Sequence, residues 1–176
     1  IYDGSTYLGD AVVNGTTWTF NDTRALVDNQ TVSYTARVAD VAGNQSAAGT
    51  AYVATVDLTA PSVTAAVTAI ADNVGLVTGT VPNGGTMDDT SVTTSGTITA
   101  ALATGETVRI YDGSTFLGTA TVAPGATTWT FIDTRTLINE QTVSYTARVA
   151  DTAGNQSAAG TAYLATVDLT APSVTA

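Results

Sequence analysis

Residues 141–151 read QTVSYTARVAD, and the alternation in this stretch decides the fold class. Every second residue is apolar, namely Val143, Tyr145, Ala147 and Val149, and the residues between them are polar. A period of two puts the apolar side chains on one face of an extended strand and the polar ones on the other. The stretch therefore predicts a strand of an antiparallel sheet, with one face in a core and the other in solvent.

The same alternation recurs along the chain, and no stretch keeps helical periodicity for three turns. The expected strands are A 62–70, B 91–101, C 106–111, a short C′ or D 115–122, E 127–133, F 141–150 and G 157–167. The expected core residues outside strand F are Val63, Ala65, Val67, Val92, Ile98, Ala100, Val108, Ile110, Trp129 and Phe131. Strands at roughly ten-residue spacing that are separated by turn residues indicate a Greek-key β-sandwich.

Turn residues mark the connections between these strands. Asp112-Gly113 and Asn14-Gly15 predict type I′ hairpins, and Ala123-Pro124-Gly125 predicts a wider turn. A long connection between strands A and B, rich in Gly and Asp, spans residues 71–90. We expect this connection to be a loop.

The sequence repeats with a period of 109 to 111 residues, which is the size of a whole domain. Residues 16–65 align with residues 127–176 with seven differences in fifty positions. We therefore expect tandem Ig-like sandwich modules. Residues 1–58 would be the C-terminal half of one module, residues 59–168 a complete module, and residues 169–176 a linker and the start of the next.

The expected first module lacks strands A and B and most of C. A half-sandwich exposes its inner face and a strand edge. We expect this half to be completed by sequence outside this chain or by strand pairing with another copy.

The composition excludes several classes of function. The chain has no Cys, His or Lys, and its five Arg residues stand against fifteen acidic residues, for a net charge of −10. This charge argues against a nucleic-acid partner, and no apolar run is long enough to insert into a membrane. A disulfide scaffold, a zinc–thiolate site and the usual general base are all missing, so we do not expect an enzyme. Divalent cations are the natural complement of such an acidic surface.

A series of segments at domain spacing carries a family resemblance. In order they are DNVGLVTGTVPNGGTMDDTSVTTSG (72–96), GETVRIYDGSTFLGTATV (105–122), TTWTF (127–131), VSYTARVADTAGNQS (143–157) and VDLTAP (167–172). This series resembles bacterial Ig-like repeats, and more narrowly those of Bap-like biofilm-associated proteins and related giant adhesins. The resemblance implies a non-enzymatic β-sandwich module of an extracellular cell-surface protein, exported by type I secretion. It also implies Ca²⁺ at the junctions between modules.

Ig-like topology places the acidic residues of the complete module at its two poles. The F–G loop, with Asp151 and Asn155, should lie near the preceding linker, which carries Asp57. At the other pole Asp72, Asp88 and Asp89 of the A–B connection should approach Asp168 of the next linker. Two carboxylates about 4 Å apart repel by roughly 4 kcal/mol at an effective dielectric constant of about 20, and Ca²⁺ would relieve that repulsion. Asp40, in the F–G loop of the first module, is a further candidate ligand.

Other interpretations of these polar residues stay open. Asp40 and Asp151 are equally suited to closing an Asx turn in their own loop. We expect Asp3 and Asp112 to be hairpin formers, and Asp22 and Asp133 to pair with Arg24 and Arg135. Trp18 and Trp129 are expected in the core, and Tyr34 and Tyr145 are candidates for a tyrosine corner.

Three functions are compatible with the sequence. The leading one is a structural extender, or stalk, of a bacterial adhesin that acts in biofilm formation and is stiffened by interdomain Ca²⁺. The second is an adhesion module that binds glycan or protein, for which Tyr111 is the best placed exposed aromatic residue. The third is a repeat that associates with other copies into a filament or matrix.

Overall fold

A computed structural model describes residues 1–174 of the chain, and these residues form β-strands joined by turns and irregular segments. The chain divides into two compact units, Ile1–Thr59 (unit 1) and Ala60–Ala176 (unit 2). The predicted all-β fold class is confirmed. Within residues 1–174 there is no helix of the length and apolar character needed to cross a membrane.

Unit 1 contains six short strands. They are β1 (Tyr2–Asp3), β2 (Thr6–Tyr7), β3 (Val12–Asn14), β4 (Thr17–Thr19), β5 (Thr31–Thr35) and β6 (Tyr52–Thr55). Four of them form an antiparallel sheet of order β2-β1-β5-β6, and β3 and β4 form a separate hairpin.

Unit 2 contains ten strands arranged in two five-stranded sheets. The strands are β7 (Ala65–Asp72), β8 (Gly79–Val81), β9 (Gly85–Met87), β10 (Thr93–Ile98), β11 (Thr107–Asp112), β12 (Thr115–Thr119), β13 (Thr121–Val122), β14 (Thr128–Ile132), β15 (Thr142–Ala150) and β16 (Tyr163–Val167). The sheet orders are β13-β14-β10-β7-β8 and β12-β11-β15-β16-β9. The chain changes sheet between β12 and β13, at the buried Ala120. Unit 2 is thus a β-sandwich whose core lies between the sheets.

The core of unit 2 follows the alternation of the sequence. All four apolar residues of the expected strand F are fully buried in β15, and Val108 and Ile110 are fully buried in β11. Trp129 on β14 is 1% exposed, which confirms its predicted place in the core. The prediction for Ala100 is wrong, because this residue is exposed beyond the end of β10.

A β-bulge shifts the parity of strand β7. The register between β7 and β10 changes between Ser95 and Gly96, so that the inward face passes from Val67 to Ile70. Gly96 sits at this close approach. A Cβ atom there would lie 1.9 Å from the carbonyl oxygen of Ala66 and 2.4 Å from the Trp129 ring. Glycine is required because any side chain would collide with the neighbouring strand and with the largest residue of the core.

The structure corrects two predicted elements of unit 2. The expected loop at 71–90 contains two strands, β8 paired with β7 and β9 paired in parallel with β16. The expected strand G is shorter than predicted, because only 163–167 of it form the ladder with β15.

The two predicted hairpins form, but their turns are not type I′. The loop residues are Gly113-Ser114 and Gly15-Thr16, and only the glycine of each pair has positive φ, at 56° and 62°. A positive φ at the first loop residue alone is the pattern of a type II′ turn.

Unit 1 repeats the local structure of unit 2 without its core. Residues 1–59 contain no counterpart of β7, β8, β9 or β10. Trp18 is 52% exposed here, so its predicted place in a core is wrong for this unit. The physical reason is that β10 and β7, which lie beside β14 in the sheet that carries Trp129, have no counterpart beside Trp18.

Candidate functional site

Three acidic residues of unit 2 lie around one open cavity at a pole of the sandwich. Asp72, Asp88 and Asp168 line an open cavity of about 700 Å³. Asp88 and Asp168 are neighbours because β9 and β16 run parallel, with Met87 opposite Val167. The next residue of each strand therefore leaves the sheet at the same end. The backbone N–H of Asp168 donates to the carbonyl oxygen of Met87 at 2.8 Å, which ties the start of the linker to the connection between β7 and β10.

Hydrogen bonds from the backbone hold these carboxylates in place. Asp72 is 7% exposed, and its two oxygens accept from the N–H groups of Val74 and Asp88 at 3.1 and 3.3 Å. Asp168 accepts from the N–H of Thr170 at 2.9 Å. The Asp88 carboxylate lies against Gly75, where a Cβ atom would be 2.1 Å from Oδ2. The carboxylates of Asp72 and Asp168 are therefore held in place by backbone groups at this pole.

Asp89, the fourth acidic residue predicted at this pole, turns into the protein. It is 3% exposed, and its oxygens accept from the N–H groups of Ser91 and Asn73 at 2.8 and 3.4 Å. It does not belong to the described lining of the cavity. Asp89 thus closes the turn before β10 and holds the β7–β10 connection together.

The donor chemistry of the cavity fits Ca²⁺, which prefers carboxylate and carbonyl oxygens. The geometry is less convergent: in the part of the chain that the structure describes, no three acidic side chains come close enough to hold one metal ion. The predicted Ca²⁺ site at Asp72, Asp88 and Asp168 therefore stays a prediction.

In both F–G loops an Asp accepts hydrogen bonds from its own loop. Asp151 Oδ1 accepts from the N–H groups of Gly154 and Asn155 at 2.7 and 2.9 Å, and the Asn155 amide donates to Oδ2 at 2.9 Å. Asp40 closes its loop in a similar way, with its Oδ1 accepting from the N–H groups of Ala42 and Asn44 and its Oδ2 accepting from the Asn44 amide. The side-chain bond from the Asn is the main reason that the pKa of each Asp lies below its ordinary value. The Asx-turn interpretation accounts for these contacts.

Asp57, the candidate ligand of the preceding linker, also accepts a hydrogen bond from the backbone of its own segment. Its Oδ1 accepts from the N–H of Thr59 at 3.0 Å. The equivalent contact in unit 2 is that of Asp168 with Thr170. A shared Ca²⁺ site with Asp57, Asp151 and Asn155 stays a prediction.

A linker anchor was missed in the sequence. Asn139 accepts from the N–H of Leu169 at 2.6 Å and donates to the Thr170 hydroxyl at 3.2 Å. Asp28 occupies the same place in unit 1, where it accepts from the Leu58 N–H at 2.6 Å and from the Thr59 hydroxyl at 2.8 Å. These bonds, the one from Leu58 first, lower the pKa of Asp28. The signal in the sequence was an Asp or Asn at this position in both repeats.

A buried charge cluster joins the β11–β12 hairpin to the start of β15. Asp133 is 1% exposed, and Arg135 binds both of its oxygens and also reaches Asp112 Oδ2 at 2.9 Å. The predicted pairing of Asp133 with Arg135 is confirmed. Tyr145 donates its hydroxyl to Asp133 at 2.5 Å, so it bonds a carboxylate where a tyrosine corner would bond the backbone. Burial raises the pKa of Asp133, but the bonds from Arg135 and Tyr145 outweigh it, and the net pKa is below the ordinary value.

The matching cluster in unit 1 has the same partners. Arg24 binds Asp22 at 2.7 Å and Asp3 at 2.9 Å, and Tyr34 donates to Asp22 at 2.7 Å. The predicted pairing of Asp22 with Arg24 is also confirmed. Asp3 and Asp112 therefore do more than form hairpins, since each links its turn to this cluster.

The outer face of the β12-β11-β15 sheet carries an unusual cationic patch. Arg109 on β11 is directly opposite Arg148 on β15, and Arg109 lies 5.7 Å from the centre of the Phe116 ring. Tyr111 is half-buried against Phe116 and donates its hydroxyl to Gln156 at 3.1 Å. The more exposed aromatic residue is thus Phe116, at 51%, and the prediction for Tyr111 is corrected.

Comparison with known proteins leaves the family open. No family model, curated protein or solved structure matches the chain at a significant level. The β-sandwich class rests on the structure itself, and the resemblance to Bap-like repeats rests on the segments quoted above.

Proposed function

We propose that this chain is a structural extender repeat of a bacterial cell-surface adhesin that acts in biofilm formation and cell adhesion. The proposal places it outside the cell, with neighbouring repeats of the same chain as its partners. It includes no catalytic activity, because the sequence has no His, Cys or Lys and therefore lacks the most common general base and the thiol and amine nucleophiles.

The observation that carries this proposal is the fixed start of the linker in both repeats. A stalk holds its tip away from the surface only if the chain leaves each module in a restricted range of directions. In unit 2 the linker is held by Met87 from one side and by Asn139 from the other, and Asp168 stiffens it from within. Pro172 lies four residues after Asp168 and restricts bending further.

We propose that Ca²⁺ bound at the pole of Asp72, Asp88 and Asp168 stiffens the stalk. An ion that binds only the folded state stabilises it by about 2.7 kcal/mol when its free concentration is about 100 times the Kd. Adding Ca²⁺ to the metal-free chain should therefore raise the melting temperature of unit 2, and Mg²⁺ should do so less.

The matched variants for this test are Asp88→Asn and Asp10→Asn. Asp88→Asn should abolish the effect of Ca²⁺ on melting, while Asp10→Asn removes the same charge from unit 1 and should preserve it. Small-angle scattering in chelator and in Ca²⁺ should show a more extended chain with the metal. Identical melting curves and scattering profiles in both buffers would contradict the calcium part of the proposal. The stalk itself would be contradicted if the chain stayed flexible under every condition.

A ligand-binding adhesion module is the second candidate, and the Arg109–Arg148 pair favours it. Two cations directly opposite each other on a sheet repel, and this repulsion lowers the stability of the fold. An anionic ligand bound between them would relieve the repulsion. Arginine recognises carboxylates in a planar, paired geometry, and Phe116 offers an apolar surface beside it. A glycan array that includes acidic sugars should then show binding that Arg148→Ala abolishes and Thr166→Ala, on the same sheet, leaves unchanged.

A further inference from the structure

We propose that Thr119 controls which ligands the Arg109–Arg148 pair accepts. With a neutral residue at position 119 the pair binds a glycan through a single carboxylate, and an acidic residue at this position closes the site. This inference rests on the second candidate function above, to which it adds the ligand class and the residue that controls binding. Its basis is a difference between the two repeats at the edge of one sheet.

Arg109 and Arg148 are cations without an acidic partner in the described part of the chain. The salt bridges of residues 1–174 are those of Arg24 and Arg135, each of which binds two aspartates. Arg148 Nη1 donates to the carbonyl oxygen of Ser157 at 3.4 Å. Since a guanidinium group has five N–H donors, most donors of the pair remain available to a ligand.

Thr119 forms one row with the two arginines across the outer face of the sheet. It lies on β12 directly opposite Arg109, and Arg109 lies directly opposite Arg148 on β15. Residues opposite each other on antiparallel strands have their side chains on the same face, with Cβ atoms about 4.5–5.5 Å apart. Because Thr119 is neutral, the two positive charges of the row are not compensated from its exposed end.

Unit 1 has an acidic residue at the corresponding position. Asp10 follows Tyr7 by three residues, as Thr119 follows Phe116 in the aligned repeat. The Asp10 carboxylate accepts from the Tyr7 hydroxyl at 2.7 Å, so an acidic side chain at this position reaches the neighbouring aromatic residue. In unit 2 that aromatic residue is the one over which Arg109 lies. An Asp at position 119 would therefore pair with Arg109 and occupy the donors that a ligand needs.

The surroundings of the pair favour a glycan with one carboxylate. Arginine N–H groups bind the two oxygens of a carboxylate in a planar, paired geometry. The Phe116 ring is 51% exposed, with its centre 5.7 Å from the guanidinium carbon of Arg109, and offers an apolar face for the C–H groups of a sugar ring. The net charge of −10 repels a polyanion, so the favoured ligand is a sugar acid on an otherwise neutral glycan.

The test titrates two sugar acids, methyl β-glucuronide and methyl α-N-acetylneuraminide, into the full chain. Backbone amides and arginine Nε–H groups are followed by NMR. We expect saturable shifts at Arg109, Arg148 and Phe116 with at least one of the two, and a Kd on the order of millimolar for a single sugar. Methyl β-glucoside, which lacks the carboxylate, should leave these signals unchanged. If neither sugar acid shifts them, the second candidate function fails and this inference fails with it.

The variants Thr119→Asp and Thr119→Asn separate charge from size, because Asp and Asn side chains have nearly the same shape. Thr119→Asp should weaken binding at least about tenfold, and Thr119→Asn should bind like the parent. Unchanged amide signals in the core of unit 2 would show that both variants are folded. Equal binding by Thr119→Asp and the parent would overturn this inference and leave the second candidate function standing. Equal losses in both variants would also overturn it, because size would then control the site.

Discussion

Trp18 and Trp129 stand in the same five residues, TTWTF, yet one is 52% exposed and the other 1%. The hydrogen bonds of unit 1 and unit 2 differ far less than the exposure of these two tryptophans. The clusters of Asp22 and Asp133, the F–G loops of Asp40 and Asp151, and the linker anchors of Asp28 and Asn139 use the same kinds of partner in both units. Local contacts therefore follow the local sequence, whereas the burial of Trp129 depends on strands β7 and β10, which have no counterpart in unit 1.

The largest effect on stability is expected for a matched pair of tryptophan substitutions, which tests this comparison. Trp129→Ala should destabilise unit 2 by about 3–5 kcal/mol, the usual cost of removing a buried aromatic side chain. Trp18→Ala should change stability by less than about 1 kcal/mol, as is normal for exposed positions. Urea unfolding followed by circular dichroism measures both. Equal losses for the two variants would show that Trp18 is packed in solution.

A second pair of substitutions compares the charge clusters of Asp133 and Asp22. Asp133→Asn should lower the stability of unit 2 by about 2–3 kcal/mol, because two charge-assisted hydrogen bonds from Arg135 are weakened in a buried site. Asp22→Asn should cost clearly less, since its side chain is 13% exposed against 2% for Asp133. The same unfolding experiment applies. A larger loss for Asp22→Asn would contradict the role assigned to burial.

The pH dependence of unfolding gives a third test. The pKa of Asp133 in the folded state lies below its ordinary value of 3.8. Its charged form therefore contributes stability that is fully present above about pH 4 and is lost as the pH falls through the lower, folded-state pKa. Thermal unfolding between pH 6 and pH 2 should show a decline of unit 2 below pH 4 that is smaller in Asp133→Asn. Parallel curves for the two proteins would contradict this assignment.

The smallest effect is expected at the linker anchor. Asn139→Ala removes the acceptor of the Leu169 N–H, and a hydrogen bond of this kind contributes about 1 kcal/mol. The Leu169 amide should then exchange about fivefold faster, with little change in the melting of unit 2. Asn139→Asp gives unit 2 the residue that unit 1 has at this position, Asp28. The Leu169 amide should then still exchange slowly. Fast exchange in Asn139→Asp would show that the two anchors are not equivalent.

Much of the fold could be predicted from the sequence because β15, β11 and β14 keep a strict period of two. Their buried residues were identified correctly. The β7–β10 connection was mistaken for a loop, since β8 and β9 have three residues each and their ladders are made with β7 and β16. Such short strands have no periodicity of their own, and their pairing partners are distant in the chain. The pairing of β9 with β16 also brings Asp88 beside Asp168. The sequence therefore did not reveal why these two residues lie close together.

The sequence by itself determined the strands with clear alternation, the positions of the hairpins and the bonds of each Asp to its own loop, because these depend on neighbours a few residues away. The tertiary structure alone decided the bulge that turns Ile70 inward, the parallel pairing of β9, and the different burial of Trp18 and Trp129. The physical reason is that burial depends on which other strands cover a residue, and identical residues are buried or exposed according to that cover.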